Sequence, residues 1–251
     1  MRVFKCGEMK VHAAGSTREM AERAAEDFSS TAASLLGALP VIDVLFSGAQ
    51  SQGAFHAALR VRQDIAWDRI NAFAVDEFYS PGMPAGNAVS AQPRRDLYRH
   101  VALRSVNVID YAAFDPEAER ARYEALITKH PPHISCLGIG ISGHLALNEP
   151  GAADFEDPQK VRLVRVCDES KRQLENDPNF KDLPAIPDQG ITITLPVLMA
   201  ASAILVVVPY ALKAPIIARL MTAPVTNALP ATILKLQKHA RMYLDHESSR
   251  G

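Results

Sequence analysis

The segment 138–150 holds the most informative group of side chains in the chain and reads Gly-Ile-Gly-Ile-Ser-Gly-His-Leu-Ala-Leu-Asn-Glu-Pro. Its glycines are Gly138, Gly140 and Gly143. Because glycine has no side chain, such a segment lets the backbone approach a ligand closely. His144 lies among these glycines and Glu149 follows five residues later. A carboxylate beside an imidazole can fix the tautomer that acid-base catalysis needs, so this context favours a catalytic His144 over a structural one.

Two adjacent carboxylates, Asp76 and Glu77, follow the apolar run 70–75. If that run is a buried strand, one of the two carboxylates lies over the edge of the sheet. A carboxylate removed from water has a raised pKa and can act as a general base. The alternative, weighted equally, is that Asp76 caps a loop or helix while Glu77 is solvated.

The turn Ser47-Gly48-Ala49-Gln50-Ser51 has the composition of a phosphate site. It lies between a predicted strand and a predicted helix, where backbone N–H groups and a helix N-terminus can bind an anion. The turn lacks the complete dinucleotide and P-loop fingerprints, so it does not indicate nucleotide binding. Taken alone, such a segment is more often a structural tight turn.

Apolar strands alternate with amphipathic helices along the chain. The predicted strands are 41–46, 70–75, 134–140, 161–166, 191–194, 204–208 and 242–244. The predicted helices are 16–36, 52–62, 92–101, 116–129 and 212–222, the first beginning with a capping box of Ser16 and Glu19. This alternation predicts an α/β fold, a doubly wound, mostly parallel sheet with helices on both faces, of the Rossmann-like type.

In open α/β sheets, ligands bind outside the carboxyl ends of the strands. Four polar segments follow predicted strands, namely 47–51, 76–77, 138–144 and 210–213. We therefore expect these segments to converge on one site. No repeat, low-complexity segment or linker interrupts the chain, which predicts a single domain over 1–251. The loop 80–87 is then expected at the rim of the site, and the polar loop 176–189 is a candidate lid.

The composition excludes several classes of protein. The 251 residues include 27 Lys and Arg against 28 Asp and Glu, with 48% apolar residues, which argues against a disordered chain and a nucleic-acid surface. Three scattered cysteines (Cys6, Cys136 and Cys167) favour neither a disulfide framework nor a metal site. The longest apolar run, 199–208, is half of the ~20 residues that a membrane helix needs. We expect a cytoplasmic protein with no membrane or nucleic-acid partner and no bound metal.

The segment 138–150 also resembles the signature of the glucosamine-6-phosphate deaminase/isomerase family, Gly-x-Gly-x-Asp-Gly-His-Ile-Ala-Phe-Asn-Glu-Pro. The matching positions at its end are Gly143, His144, Ala146, Asn148, Glu149 and Pro150. In the same order along the chain, 75–78 resembles the family's Met-Asp-Glu-Tyr and 46–50 its phosphate loop. Likewise 212–214 resembles its late lysine at a helix start and 229–234 its Val-Pro-Ala-Ser-Ile-Leu segment. The resemblance spans roughly residues 40 to 245.

The resemblance implies a role for each matching residue. Asp76 would move a proton between C2 and C1 of an open-chain sugar, His144 would relay a proton at the ring oxygen, and Glu149 would orient His144. The segment 47–51 and Lys213 would hold the phosphate. The substrate loop would further include the residues Glu77, Gly140 and Gly143, and Arg172 is a further candidate for the phosphate. The family's Arg-Phe-Phe stretch is absent, and 176–178 reads Asn-Asp-Pro. No metal or redox cofactor is implied.

Ser142 is the main departure from the signature, which has Asp two residues before the histidine. A carboxylate beside an imidazole favours its charged form, and a neutral hydroxyl cannot replace that field. The substitution predicts a less basic His144 than in the usual family site, with slower ring opening or a changed reaction.

The leading hypothesis is therefore an enzyme that isomerises and deaminates an amino-hexose 6-phosphate. One alternative is a hydrolase resembling the sister 6-phosphogluconolactonases, although their loop does not usually continue with Asn-Glu-Pro. Another is an isomerase of a different hexose phosphate, and a third is a sugar-phosphate sensor that lost catalysis with Ser142. The expected partner is a small sugar phosphate. The family ranges from monomers to hexamers, so a homo-oligomer is possible.

Overall fold

The computed structural model describes residues 1–175, 180, 183 and 186–250. In this part of the chain the α-helices are α1 (Thr17–Ala38), α2 (Gly53–Arg60), α3 (Ala91–Asp96), α4 (Pro116–Lys129), α5 (Asp168–Glu175), α6 (Leu195–Met199) and α7 (Ala214–Thr222). The strands are β1 (Arg2–Cys6), β2 (Met9–Ala13), β3 (Ile42–Phe46), β4 (Ile70–Ala74), β5 (Asp76–Tyr79), β6 (Ser105–Asn107), β7 (Ile134–Leu137), β8 (Val161–Arg165), β9 (Gln189–Ile193), β10 (Ala203–Val208) and β11 (Ala240–Leu244).

The described strands form two sheets. The larger has eight strands in the order β1-β2-β11-β10-β7-β3-β4-β6 and is parallel except for the antiparallel hairpin of β1 and β2. The smaller is antiparallel, in the order β5-β9-β8. The predicted α/β fold with a mostly parallel sheet is therefore confirmed.

Alternation along the strands places apolar cores on both faces of the large sheet. Within β3, Val44 and Phe46 belong to a core that also contains residues of α1 and α2, whereas Leu45 belongs to a core with residues of α4, α6 and α7. Successive side chains of a strand point to opposite faces, so a continuous apolar run is what a sheet covered on both sides requires. Helices accordingly cover both faces, as predicted.

Two of the predicted strands belong elsewhere. The runs 161–166 and 191–194 were expected in the parallel sheet, but β8 and β9 pair antiparallel with each other in the small sheet. The chain also leaves β4 at Ala74 and enters β5 after the single residue Val75. The sequence had predicted that Asp76 and Glu77 follow the end of one strand, but they are the first residues of a second strand. The amino-acid composition of a short strand does not reveal which sheet it joins, because strand partners are set by packing against distant parts of the chain.

Other elements differ less from expectation. Helix α1 begins where predicted, because the Ser16 side chain accepts the Glu19 N–H, while Glu19 in turn accepts the N–H of Gly15. The hairpin β1–β2 and the strand β6 were not predicted. The candidate lid 176–189 lies mostly outside the described residues. No helix in the described part of the chain is long and apolar enough to cross a membrane.

Candidate active site

A cavity lies where the direction of strand addition reverses in the large sheet, between β3 and β7. The chain adds β4 and β6 on one side of this point and β10 and β11 on the other. A reversal of this kind leaves a crevice at the carboxyl ends of the strands, which is the usual ligand site of such sheets. The segments 47–51 and 138–144, together with Asp76 and Lys213, all contribute to the wall of this one cavity.

Asp76 and Glu77 point in opposite directions because they are neighbours on β5. Asp76 lines the cavity, and burial, reinforced by the nearby Glu77 and Glu149 carboxylates, raises its pKa to about 8. No hydrogen bond to its side chain comes from any residue that the structure describes. Within this part of the chain, its carboxyl group therefore stands unbonded at the cavity wall.

Glu77 is fully buried behind the cavity wall. Its carboxylate accepts the N–H groups of Phe78, Val89 and Ser90 at 2.7–3.0 Å. Burial raises its pKa to about 7 against the lowering effect of these hydrogen bonds. The sequence analysis had suggested either a solvated Glu77 or a place in the substrate loop, and the structure shows neither. Its hydrogen bonds instead hold the loop that begins at Ser80 against β5.

His144 lines the cavity with its ring on the backbone of Gly140, where a Cβ would lie 2.1 Å from Nε2. Its Nδ1 lies 3.0 Å from Glu149 Oε1 and 2.9 Å from Ser142 Oγ. Burial opposes ionisation of Glu149, but the hydrogen bond from His144 and the charge of its ring, together with hydrogen bonds from Ser170 and Ser142, outweigh it and lower its pKa to about 2. A carboxylate can only accept, so Nδ1 carries a hydrogen toward Glu149 and Nε2 is the basic nitrogen whenever the ring is neutral.

The turn that carries Glu149 is tied to the small sheet. Asn148 donates its amide hydrogens to the carbonyls of Leu145 and Ile193, and Leu147 N–H donates to Thr192 Oγ1. Gly143 has φ +88°, and a Cβ there would collide with Leu229. Gly143 therefore serves this turn and does not line the cavity, contrary to its expected place in the substrate loop.

Lys213 is buried in the wall of the cavity, just before α7. Burial lowers its pKa to about 8, and its ammonium forms no ion pair within the described chain. A buried cation without a partner is costly, so a bound anion would offset that cost.

The turn before Lys213 is strained. Tyr210 has φ +78°, a region unfavourable for a side chain with a Cβ, and its N–H donates to the buried Asp245 carboxylate at 3.1–3.2 Å. Ala146, which lines the cavity, also has a positive φ of 52°. Strain of this kind persists where surrounding structure over-determines it, and it is concentrated at functional sites.

Three polar residues of the cavity wall lie outside every site segment that the sequence predicted. Ser170, on α5, donates a hydrogen bond to Glu149 Oε1 and also lines the cavity. Gln92, on α3, accepts the N–H of Ala49 in the turn 47–51 at 3.2 Å, and the buried Gln52 donates to the Val207 carbonyl. Two of the three could have been found from their positions: Ser170 follows a predicted strand by only a few residues, and Gln52 directly follows the turn 47–51. Gln92 follows no predicted strand, so no signal in the sequence marked it.

Arg172 is not brought to the site. It lies exposed in the last turn of α5 and is absent from the cavity wall, whereas Ser170 and Leu174 of the same helix line it. Among the described residues, no group of three His, Cys, Asp or Glu side chains is placed to hold a metal ion.

Comparison with known proteins agrees with this geometry. The sequence profile of the family "Glucosamine-6-phosphate isomerases/6-phosphogluconolactonase" matches residues 15–244. The chain belongs to this family. It is therefore an enzyme of the deaminase and lactonase superfamily.

Individual relatives of both kinds are similar to it. The glucosamine-6-phosphate deaminase of Streptococcus equi subsp. zooepidemicus (strain H70) is 29% identical over 191 residues, which cover 75% of this chain and 79% of that protein. A monomeric glucosamine-6-phosphate deaminase has a similar structure, with a TM-score of 0.83, 20% identity and coverage of 96% and 99% of the two chains. The 6-phosphogluconolactonase of Thermotoga maritima gives a TM-score of 0.74 and 16% identity over 94% and 98%.

Proposed function

We propose that this member of the glucosamine-6-phosphate isomerase/6-phosphogluconolactonase family converts an amino-hexose 6-phosphate to a ketohexose 6-phosphate and ammonia. Glucosamine 6-phosphate and galactosamine 6-phosphate are the two candidate substrates. The observation that carries the proposal is the position of Asp76, a carboxyl group with a raised pKa that shares one cavity with His144 and Lys213.

The phosphate would bind at the end of the cavity formed by the turn 47–51 and Lys213. The turn continues through a short 3₁₀ turn into α2, so the N-terminal end of that helix supports an anion there. Lys213 adds a buried ammonium that lacks a carboxylate partner in the described structure. A phosphate held at this end leaves the sugar ring to extend toward Asp76 and His144.

Asp76 would carry the C2 proton to C1 of the open-chain sugar. This requires the carboxylate form, and with a pKa of about 8 the group is mostly protonated at pH 7 in the empty site. The ammonium at C2 of an amino sugar favours ionisation of a carboxylate close to it. An amino-sugar substrate would thus generate its own base on binding, which a sugar-phosphate lactone without an amine at C2 cannot do.

His144 would open the sugar ring. Its Nε2 accepts the proton of the C1 hydroxyl and returns it to the ring oxygen as the C1–oxygen bond breaks. The resulting imidazolium is stabilised by Glu149, which remains ionised because its pKa is about 2. Transfer of the C2 proton to C1 turns the amine-bearing C2 into an imine carbon. Water then adds to this imine, which releases ammonia and leaves the C2 ketone. These steps are proton transfers and call for neither a metal nor a redox cofactor.

The proposal is tested by measuring ammonia release from both amino-sugar phosphates by the wild-type protein, Asp76→Asn and Lys213→Met. Asp76→Asn should lower kcat by about 10²-fold or more while calorimetric binding persists, because only the proton carrier is lost. Lys213→Met should weaken binding by about tenfold or more, because a charge-assisted contact to the phosphate is lost. Full turnover by Asp76→Asn would refute the assigned role.

A second candidate is hydrolysis of a sugar-phosphate lactone, because the same Nε2 of His144 could take a proton from water. Lactone hydrolysis is measured alongside ammonia release on the same preparations. Turnover of lactone alone would assign the site to that reaction. Binding of amino-sugar phosphates with turnover of neither substrate would favour the sensor hypothesis.

A further inference from the structure

A second cavity lies on the far side of the loop that borders the active site. This arginine groove encloses about 720 Å³. Its wall comprises Ala85, Gly86, Ala88, Ser90, Ala91, Arg94, Arg95, Arg99, Val108, Ile109, Asp110 and Tyr111. Three guanidinium groups therefore face a single carboxylate, although the whole chain has a net charge of −1.

The three arginines are exposed and only partly neutralised. Arg95 forms an ion pair with Asp96 at 2.8 Å, and Arg99 Nε lies 3.2 Å from His100 Nε2, which is not an anion. The Arg94 side chain has neither a hydrogen bond nor an ion pair with any described residue. Arg94 and Arg99 are thus two nearby positive charges with no carboxylate partner in the described structure, and an anion between them would relieve their repulsion.

We propose that the arginine groove binds a small organic anion carrying two or more phosphate charges, at a site separate from the active site. Guanidinium groups match phosphate oxygens with paired N–H donors. Arg95 is already paired with Asp96, whereas Arg94 and Arg99 form no ion pair with any described residue. The volume lies within the range of small-molecule sites. Val108, Ile109 and Tyr111 provide an apolar wall for the organic part of the ligand.

The groove shares a wall with the active site. Ala88 lines both cavities, and Val89 and Ser90 donate their N–H groups to Glu77, the neighbour of Asp76 on β5. Gln92, two residues before Arg94, accepts the N–H of Ala49 in the phosphate turn. The start of α3 and the residues just before it are thus hydrogen-bonded both to Glu77 on β5 and to the turn 47–51. An anion that draws the arginines together would change the position of these groups and with it the affinity for substrate.

Binding is tested with inorganic pyrophosphate as the probe, by calorimetry on the full-length protein. The Lys213→Met variant is used as background so that the active site does not compete for the anion. Pyrophosphate should still bind to this variant, and adding Arg94→Gln with Arg99→Gln should weaken binding by about tenfold or more. The charge-matched control adds Arg18→Gln with Arg60→Gln, two exposed arginines outside the groove, and should bind as before. Binding that vanishes with Lys213→Met alone, or that survives loss of Arg94 and Arg99, overturns the proposal.

The connection between the sites is tested by the affinity for glucosamine 6-phosphate with and without saturating pyrophosphate. Competition within the active site acts equally on the wild type and on the variant lacking Arg94 and Arg99. A change of about fivefold or more that occurs only in the wild type is the expected coupling. An equal change in both proteins overturns the coupling. The pyrophosphate measurement stands whether or not the amino sugar is turned over, so it can fail independently of the proposed function.

Discussion

Asp76 should make the protein less stable than it would be with a neutral side chain at this position. Its pKa is about 8 in the folded protein, against an ordinary value of 3.8. Between these two values the folded protein holds the proton while the unfolded chain has released it. The free energy of unfolding therefore falls as pH rises through this window and levels off above pH 8. Asp76→Asn does not titrate and should remove this loss.

The size of the effect follows from the shift in pKa. Each pKa unit corresponds to about 1.4 kcal/mol, so the roughly three units between 3.8 and pH 7 set an upper value of about 4 kcal/mol. Part of the shift comes from the Glu77 and Glu149 carboxylates, which can adjust when Asp76 ionises. We therefore expect Asp76→Asn to stabilise the protein by about 2–4 kcal/mol at pH 7, and by little near pH 4.

The measurement is urea unfolding of the wild type and the variant at pH 4, 5, 6, 7 and 8. The difference between the two should grow steadily with pH. Asp68→Asn is the control, because Asp68 is exposed and outside the cavity, and its effect should stay within about 0.5 kcal/mol at every pH. A stabilisation by Asp76→Asn that is independent of pH, or a loss of stability, would refute the reasoning. The gain in stability should accompany the loss of turnover proposed above.

Two other substitutions test the geometry around His144. Ser142→Asp adds a carboxylate beside His144 Nδ1 and should raise ammonia release by about tenfold. The same carboxylate is repelled by Glu149, so the variant should be less stable. Unchanged turnover in a variant that still binds sugar phosphate would contradict our account of Ser142. Gly140→Ala places a methyl group on the His144 ring, where a Cβ would lie 2.1 Å from Nε2, and should abolish turnover in a folded protein. Gly37→Ala, at an α1 position with no neighbour within 4 Å, is the matched control and should leave kcat unchanged.

Local patterns predicted most of the elements around the site. Helix α4 has the predicted bounds, and β3 and β10 each differ by one residue at one end, because continuous β-branched runs and helix caps are local signals. The strands that were missed or placed in the wrong sheet are short or lie outside the parallel core. Strand β6 has three residues, and β5 and β8 are short strands that both pair with β9, which comes from a distant part of the chain.

The candidate site was partly predictable for the same reason. His144 and the turn 47–51 follow strands, Asp76 begins β5 directly after the apolar run 70–75, and the residue types of all three mark them. Ser170 and Gln92 were missed because hydrogen bonds join each to a segment 21 or 43 residues away. Arg172 was named as part of the family resemblance, and it is absent from the cavity wall although Ser170 and Leu174 of α5 line it.

The amino-acid sequence by itself determined which side chains were available, the alternation of strands and helices, and the loop Gly-His-Leu-Ala-Leu-Asn-Glu-Pro that marks the family. Only the tertiary structure decided that β3 and β7 are neighbours and that Asp76, rather than Glu77, faces the cavity. Strand order depends on packing between segments far apart in the chain, and the direction of a side chain depends on which sheet its strand enters. Neither is encoded in the residues immediately around the site.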